Sequence, residues 1–301
     1  MLAKEEFFQK YQISEKHFLA AQMPWEMLVQ IYEDYSSKRS NYEKIAIDFE
    51  KEIFSAPREE FNLHSEYWRV KDAEHLVAKI IRKRTSNYKR YKKINESNYG
   101  EVVTDLIGFR GLLVFKEDWP GVHRRLSDYF LNDPQLYMDT PGFVGYDKET
   151  GSFFAEPPTA HIREGDNKAL YLELLGSENI VSKQNYRSVH YVIRYHGVFV
   201  ELQVRTLFEE AFAEMDHKIR YPNLVEDGRL TRYAGIVNHL AGAADELGSF
   251  YLELAGKSTG MGQNEPFHEE SDRISFAKEQ AEQEAASMNT PEECLKNTLK
   301  Q

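Results

Sequence analysis

Three groups of residues in this chain have types and spacings that suit chemistry. Asp105 and Arg110 interrupt an otherwise apolar run over 102–115, VVTDLIGFRGLLVF. Polar side chains inside such a run are costly to bury unless they are paired or liganded. Further on, Glu201, Gln203 and Arg205 alternate with Val200, Leu202 and Val204. In a strand that alternation puts the three polar side chains on one face. The third group is a run of cations: Lys79, Arg82, Lys83, Arg84, Lys89, Arg90, Lys92 and Lys93, with no acidic residue among them. Like charges in a run repel one another, so the run implies either a solvated face or an anion held against it. Together the groups suit a nucleoside triphosphate. Carboxylates hold Mg²⁺, which bridges phosphates. Lys and Arg neutralise a transferring phosphoryl group, and one carboxylate takes the proton of an attacking hydroxyl.

The familiar phosphate-handling motifs are missing. The chain has no G-x-x-x-x-G-K-S/T loop, no G-x-G-x-x-G fingerprint and no kinase set of H-R-D and D-F-G. H-E-x-x-H is absent as well. The one cysteine, Cys294, excludes an internal disulfide framework and a Cys-based zinc site. With a net charge of −11, the surface as a whole does not suit nucleic acid or anionic membrane. The N-terminus lacks the apolar run of a signal peptide, and no stretch reaches a membrane span, so the expected location is cytoplasmic, with no membrane partner.

The positioning elements follow from periodicity. Over 3–54 the apolar residues, among them Trp25, Leu28, Val29 and Tyr32, recur at helical spacing. A helix over 72–93 starts at Asp72 as its cap, with Leu76, Val77, Ile80 and Ile81 as its stripe. The 102–115 run reads as a buried strand with a bend at Gly108 or Gly111. The Pro-rich stretch 132–168 reads as a long loop. Val189 to Arg194 and Val198 to Val204 flank Tyr195-His196-Gly197 as a hairpin. Thr206-Leu207-Phe208-Glu209 is a capping box that opens an amphipathic helix with Leu207, Phe208, Ala211, Phe212, Met215 and Ile219, ended by Pro222. A last helix spans about 230–255. A polar, mobile tail follows from 257, with a further helix near 274–287. The expected division is an N-terminal helical segment over 1–60, a catalytic domain over 61–225, a C-terminal helix over 226–256 and the tail over 257–301.

Four blocks in this order resemble the RelA/SpoT-type synthetase family, the makers of guanosine tetra- and pentaphosphate, from about His64 to Pro222. Arg69-Val70-Lys71-Asp72, followed by Lys79 and Arg82-Lys83, is similar to the family's R-x-K…K donor block. Asp105-Leu106-Ile107-Gly108-Phe109-Arg110 is similar to D-L-I/L-G/A-x-R, and Tyr186-Arg187-Ser188-Val189-His190 to G-Y-R-S-x-H. Val200 to Thr206 is similar to V-E-I/L-Q-I/L/V-R-T, followed by Asp216-His217-Lys218. The N-terminal helices and the stretch Ala160-His161-Ile162-Arg163-Glu164-Gly165-Asp166 resemble a longer, stand-alone branch.

The resemblance implies an α+β fold, a mixed β-sheet flanked by helices and related to nucleotidyltransferases. It implies Mg²⁺-dependent transfer of the β,γ-pyrophosphate of ATP to the 3′-hydroxyl of GDP or GTP. By position, Arg69 and Arg110 sandwich the adenine, and Lys71, Lys79 and Arg82 contact the ATP phosphates. Asp105 is the metal ligand, and Glu201 activates the 3′-hydroxyl and shares the metal. Tyr186 stacks on guanine, with Arg187, His190, Gln203 and Arg205 on the acceptor side. The departures are Asn185 where the family has Gly, His75 where a serine is common, and Ser182-Lys183-Gln184 for K-x-N. No hydrolase motif and no ribosome-sensing region stand in the sequence. Two alternatives remain open. One is a toxin-type member acting on tRNA 3′ ends or making adenosine alarmones, with tRNA or an antitoxin as partner. The other is an inactive nucleotide sensor. Apolar residues in the terminal helices also allow a homo-oligomer.

Overall fold

The computed structural model describes residues 2–55, 62–132, 152–164, 166–183, 186–220 and 227–259. The chain divides into two units, Met1–Leu252 and Glu253–Gln301. Of the second, residues 253–259 are described and are helical. The remaining tail, with its expected helix near 274–287, lies outside the described residues, as do Gln184, Asn185 and Pro222.

Three helices open the first unit: α1 (Lys4–Tyr11), α2 (Glu15–Ala20) and α3 (Trp25–Phe54). Helix α3 buries Leu28, Ile31, Tyr35, Tyr42, Ala46, Phe49 and Ile53, one stripe along its whole length. Strand β1 (Ser65–Val70) follows, then α4 (Ala73–Ser86) and the short α5 (Tyr88–Tyr91) and α6 (Tyr99–Val102). Asp72 caps α4 as expected, accepting from the backbone N–H of Glu74 and His75. The expected single helix over 72–93 is broken at Asn87, whose backbone is not helical and whose side chain caps α5 instead.

Strand β2 (Ile107–Leu113) is shorter than the apolar run that predicts it, and α6 takes the run's first residue, Val102. Its ladders run without a register shift on both sides, so neither Gly108 nor Gly111 bends it. Gly111 is small for a packing reason, since a Cβ there would meet Leu63 Cδ2 at 3.1 Å. Helix α7 (Trp119–Tyr129) leads to β3 (Leu131–Asn132). The stretch expected as a long loop over 132–168 instead carries β4 (Phe153–Arg163), an eleven-residue strand of the main sheet. Its prolines, Pro157 and Pro158, fall where the β4–β6 register shifts, between Glu156 and Thr159. Then come α8 (Ala169–Leu175), β5 (Ile180–Lys183) and the predicted hairpin, β6 (Ser188–Tyr195) and β7 (Val198–Thr206). Its turn has φ of 46° at His196 and 76° at Gly197, the left-handed pair a two-residue hairpin needs.

The sheet is mixed, in the order β1-β2-β7-β6-β4-β3, with β5 also paired to β4. Its β2–β7 pair is parallel and its β7–β6 and β6–β4 pairs are antiparallel. Helix α3 covers one face: Phe49 packs on Phe109 of β2 at 4.8 Å and on Tyr195 of β6 at 5.0 Å.

Two helices follow, α9 (Leu207–Arg220) and α10 (Gly228–Thr259). Thr206 caps α9, accepting from the Glu209 N–H at 3.3 Å. The apolar face expected of α9 is largely outward: Phe208, Met215 and Ile219 are exposed, while Glu209 and Glu210 are buried beside Phe212. Helix α10 does the same, burying Asn238, Ala241 and Asp245 and exposing Leu240, Leu247 and Phe250. Both helices are drawn in by buried arginines rather than by grease. Arg163 donates to Asn238 at 2.7 Å and pairs with Glu209, and Arg187 pairs with Asp245.

Candidate active site

Strand register assembles the face opposite α3. Residues paired across a sheet share a face, so one row reads Arg69, Gly108, Glu201, Val192 and Glu156 across β1, β2, β7, β6 and β4. The next reads Tyr67, Arg110, Gln203, His190 and Thr159. Arg205 follows two residues beyond Gln203, on the same face. Residues from four separate sequence blocks thus become neighbours.

Asp105 is not inside the strand as expected but in the turn just before it, at the mouth of this face. A strand-interior carboxylate would be buried without partners; the turn gives Asp105 two. Its Oδ2 lies 2.9 Å from Lys71 Nζ and 2.6 Å from Lys79 Nζ. Burial pushes the carboxyl up, but the two ammonium groups outweigh it and hold Asp105 below the usual range. Its other oxygen, Oδ1, is buried with no hydrogen-bond partner. Lys71 is itself fixed by α3, where the Tyr35 hydroxyl donates to the Lys71 carbonyl at 2.7 Å.

Glu201 has the opposite balance. Burial first, and then the charge of Asp105, raise its carboxyl above the usual range, against Lys79 and a hydrogen bond from Gln203. Gln203 Nε2 donates to Glu201 Oε2 at 3.0 Å. Gln203 Oε1 accepts from Arg110 Nη1 at 2.6 Å and from Arg205 Nη2 at 2.5 Å. His190 Nδ1 lies 4.0 Å from Glu201 Oε1, and His190 Nε2 lies 2.7 Å from the Tyr186 hydroxyl. Burial, helped by His161 and Arg110, pushes His190 down to about 3, so its ring is neutral. Arg205 stands over the Tyr186 ring at 5.6 Å. Among the described residues no group of three or more His, Cys, Asp or Glu gathers as a metal site.

The structure therefore brings Asp105, Lys71, Lys79, Glu201, Gln203, Arg110, Arg205, His190 and Tyr186 to one face, with Arg69 at its β1 edge. Arg82 is exposed on α4, three residues from Lys79. Arg187 is the exception. It alternates onto the other side of β6 and is 5% exposed, enclosed by Asp245, Asp166 and Glu209. Arg84, counted in the basic run, is also structural: it donates to the carbonyls of Ala21, Gln22, Tyr91 and Lys92. Lys83 and Arg90 instead border a cavity of about 190 Å³ beside Lys79 and Thr104.

Sequence reasoning missed Tyr67, His161 and Glu210. His161 lies 4.6 Å ring to ring from His190. Glu210 touches Tyr67, Arg110 and Arg205. Neither a helical nor a strand period relates Glu210 to Arg205, because the strand–helix junction lies between them.

Two carboxylates whose acidities are shifted in opposite directions among convergent cations have the chemistry to hold a polyanion. The chain belongs to the RelA/SpoT family: the family model described as a region found in RelA / SpoT proteins matches residues 68–226. Solved structures similar to it include smu.1046c from Streptococcus mutans, 16% identical over 78% of this chain and 98% of that one, with a TM-score of 0.43. Small alarmone synthetase 1 from Bacillus subtilis bound to its product pppGpp is 20% identical over 78% and 98%, with a TM-score of 0.39. A GTP pyrophosphokinase family protein from Streptococcus pneumoniae is 16% identical over 80% and 98%, with a TM-score of 0.41. No curated protein matches the chain in sequence. Among the described residues no helix is long and apolar enough to cross a membrane.

Proposed function

We propose that the chain is an alarmone synthetase that moves the β,γ-pyrophosphate of ATP to the 3′-hydroxyl of GDP or GTP. The observation that carries this reading is the split between its two carboxylates. Asp105 is held ionised by Lys71 and Lys79, while Glu201 is raised by burial and by Asp105. A base whose affinity for protons is raised takes the proton of a bound hydroxyl more readily than an ordinary carboxylate does. Glu201 is thus the group that accepts the 3′-hydroxyl proton. Its hydrogen bond from Gln203 aims it.

Lys71, Lys79 and Arg82 meet the donor phosphates, and Arg69 and Arg110 flank the adenine with guanidinium planes. Tyr186 stacks on the acceptor base and His190 orients it. Arg187 has no part in binding, because its charge is used within the protein. Asp105 and Glu201 offer the hard oxygen donors that Mg²⁺ takes, and the unpartnered Oδ1 of Asp105 fits a cation. When bound, Mg²⁺ would neutralise charge on the phosphates.

The test is transfer of label from γ-³²P ATP to GDP, GTP, ADP or deacylated tRNA, each offered separately, with Glu201→Gln as the blank. Label on GDP or GTP supports the reading. Label on tRNA alone replaces it with the toxin-type activity, and label on nothing replaces it with a binding role.

A further inference from the structure

Glu210 belongs to none of the sequence blocks, yet it closes a ring of side chains across the site. Its carboxylate lies 3.1 Å from Arg205 Nε and 3.7 Å from Arg110 Nε, and it accepts from the Tyr67 hydroxyl. On the other side of the two guanidinium groups, Gln203 Oε1 accepts from both. Arg110, Gln203, Arg205 and Glu210 therefore hold one another. The Glu210 side chain is 9% exposed and that of Arg205 is 2% exposed, so water does not replace these contacts. Without the carboxylate, two like charges would meet on one amide oxygen, and each arginine would turn away.

The ring has two outlets. Arg110 reaches the face beside Tyr67 and Arg69, and Arg205 stands over Tyr186. We propose that Glu210 is a positioning residue that couples the two nucleotide sites. Through it, a donor that immobilises Arg110 also immobilises Arg205 and Tyr186, so the acceptor then binds with less ordering left to do. This rests on the reading above, which assigns Arg110 to the donor and Tyr186 to the acceptor. Coupling of this kind is reciprocal.

The experiment is calorimetric titration of the full chain with GDP, alone and saturated with α,β-methylene ATP, whose α–β link cannot be cleaved. In the wild type the donor analogue tightens GDP by about tenfold, and GDP tightens the analogue equally. In Glu210→Gln, which keeps the shape but removes the charge and turns one acceptor into a donor, the tightening falls below about twofold. Arg205→Lys, which keeps the charge but not the fork, loses it as well. A mere change of charge shifts each single affinity and leaves the ratio alone. The same ratio in both variants as in the wild type overturns the proposal, and so does a wild type that binds both nucleotides independently. Titration with each nucleotide alone comes first: a wild type that binds neither removes the reading of the site, and this coupling with it.

Discussion

Two clusters of arginines and carboxylates lie on this sheet, and they differ in balance. Beneath α10, Arg163 and Arg187 face Glu209, Asp245 and Asp166, and the side chains of both arginines are at most 6% exposed. On the site face, Lys71, Lys79, Arg110 and Arg205 face Asp105, Glu201 and Glu210. There the cations outnumber the carboxylates, and Arg69 adds to them at the β1 edge. Residue type therefore does not separate structure from function here. A cluster whose cations are met by the protein's own acids holds helices in place. A cluster with cations to spare is ready for an anion.

The largest expected effect comes from Glu201→Gln and Asp105→Ala. Each lowers pyrophosphate transfer by about a thousandfold or more while leaving the chain folded. Full activity in either breaks the assignment of the site. Next is Arg187→Ala, which leaves Asp245 unpaired and costs about 3–5 kcal/mol of stability in denaturant titration. An unchanged stability with weakened acceptor binding would move Arg187 into the site and break the comparison. Third, Tyr186→Ala weakens GDP binding by about 1–3 kcal/mol and leaves ATP nearly unchanged, since only one base stacks there. Equal losses for both nucleotides argue against that role.

The smallest effect is one of pH. The folded-state pKa of Glu201 is raised, so the native state holds its proton more tightly than the unfolded chain does. Ionised Glu201 therefore lowers stability at neutral pH, and the penalty disappears as pH falls through its raised value. Asp105, lowered in the fold, contributes stability above the ordinary carboxylate range and loses it as pH falls through its folded value. Thermal melts of Glu201→Gln should show a gain at pH 7 that shrinks toward acid. Those of Asp105→Asn should show a loss at pH 7 that shrinks in the same direction. Parallel behaviour of the two variants contradicts the split.

Much of the site face was legible because alternation and spacing are local. Glu201, Gln203 and Arg205 announce a shared face in five residues, and the Asp72 cap and the His196-Gly197 turn are equally local signals. The failures are tertiary. Val102 to Phe115 reads as one buried strand, but Asp105 needs two lysines from before and within α4, which pulls it into a turn. Prolines at 157 and 158 suggest a loop, but β4 absorbs them where its ladder slips. On α9 the apolar spacing predicts an apolar seat for the helix. The seat is polar, because the buried arginines it must meet come from the end of β4 and from just before β6. Arg187 misled for the same reason: it lies in a recognisable block, but strand alternation turns it away from its neighbours.

The parallel pairing of β2 with β7 joins Ile107 to Val200, residues far apart in the chain. Closing a loop of that length costs about 4 kcal/mol in chain entropy before any contact repays it. Strand pairings of such range form late and slowly. Asp105 and Glu201 stand on opposite sides of that seam, so a chain whose β7 has not yet been made has no complete site. That long-range pairing is also the step at which the two carboxylates first meet.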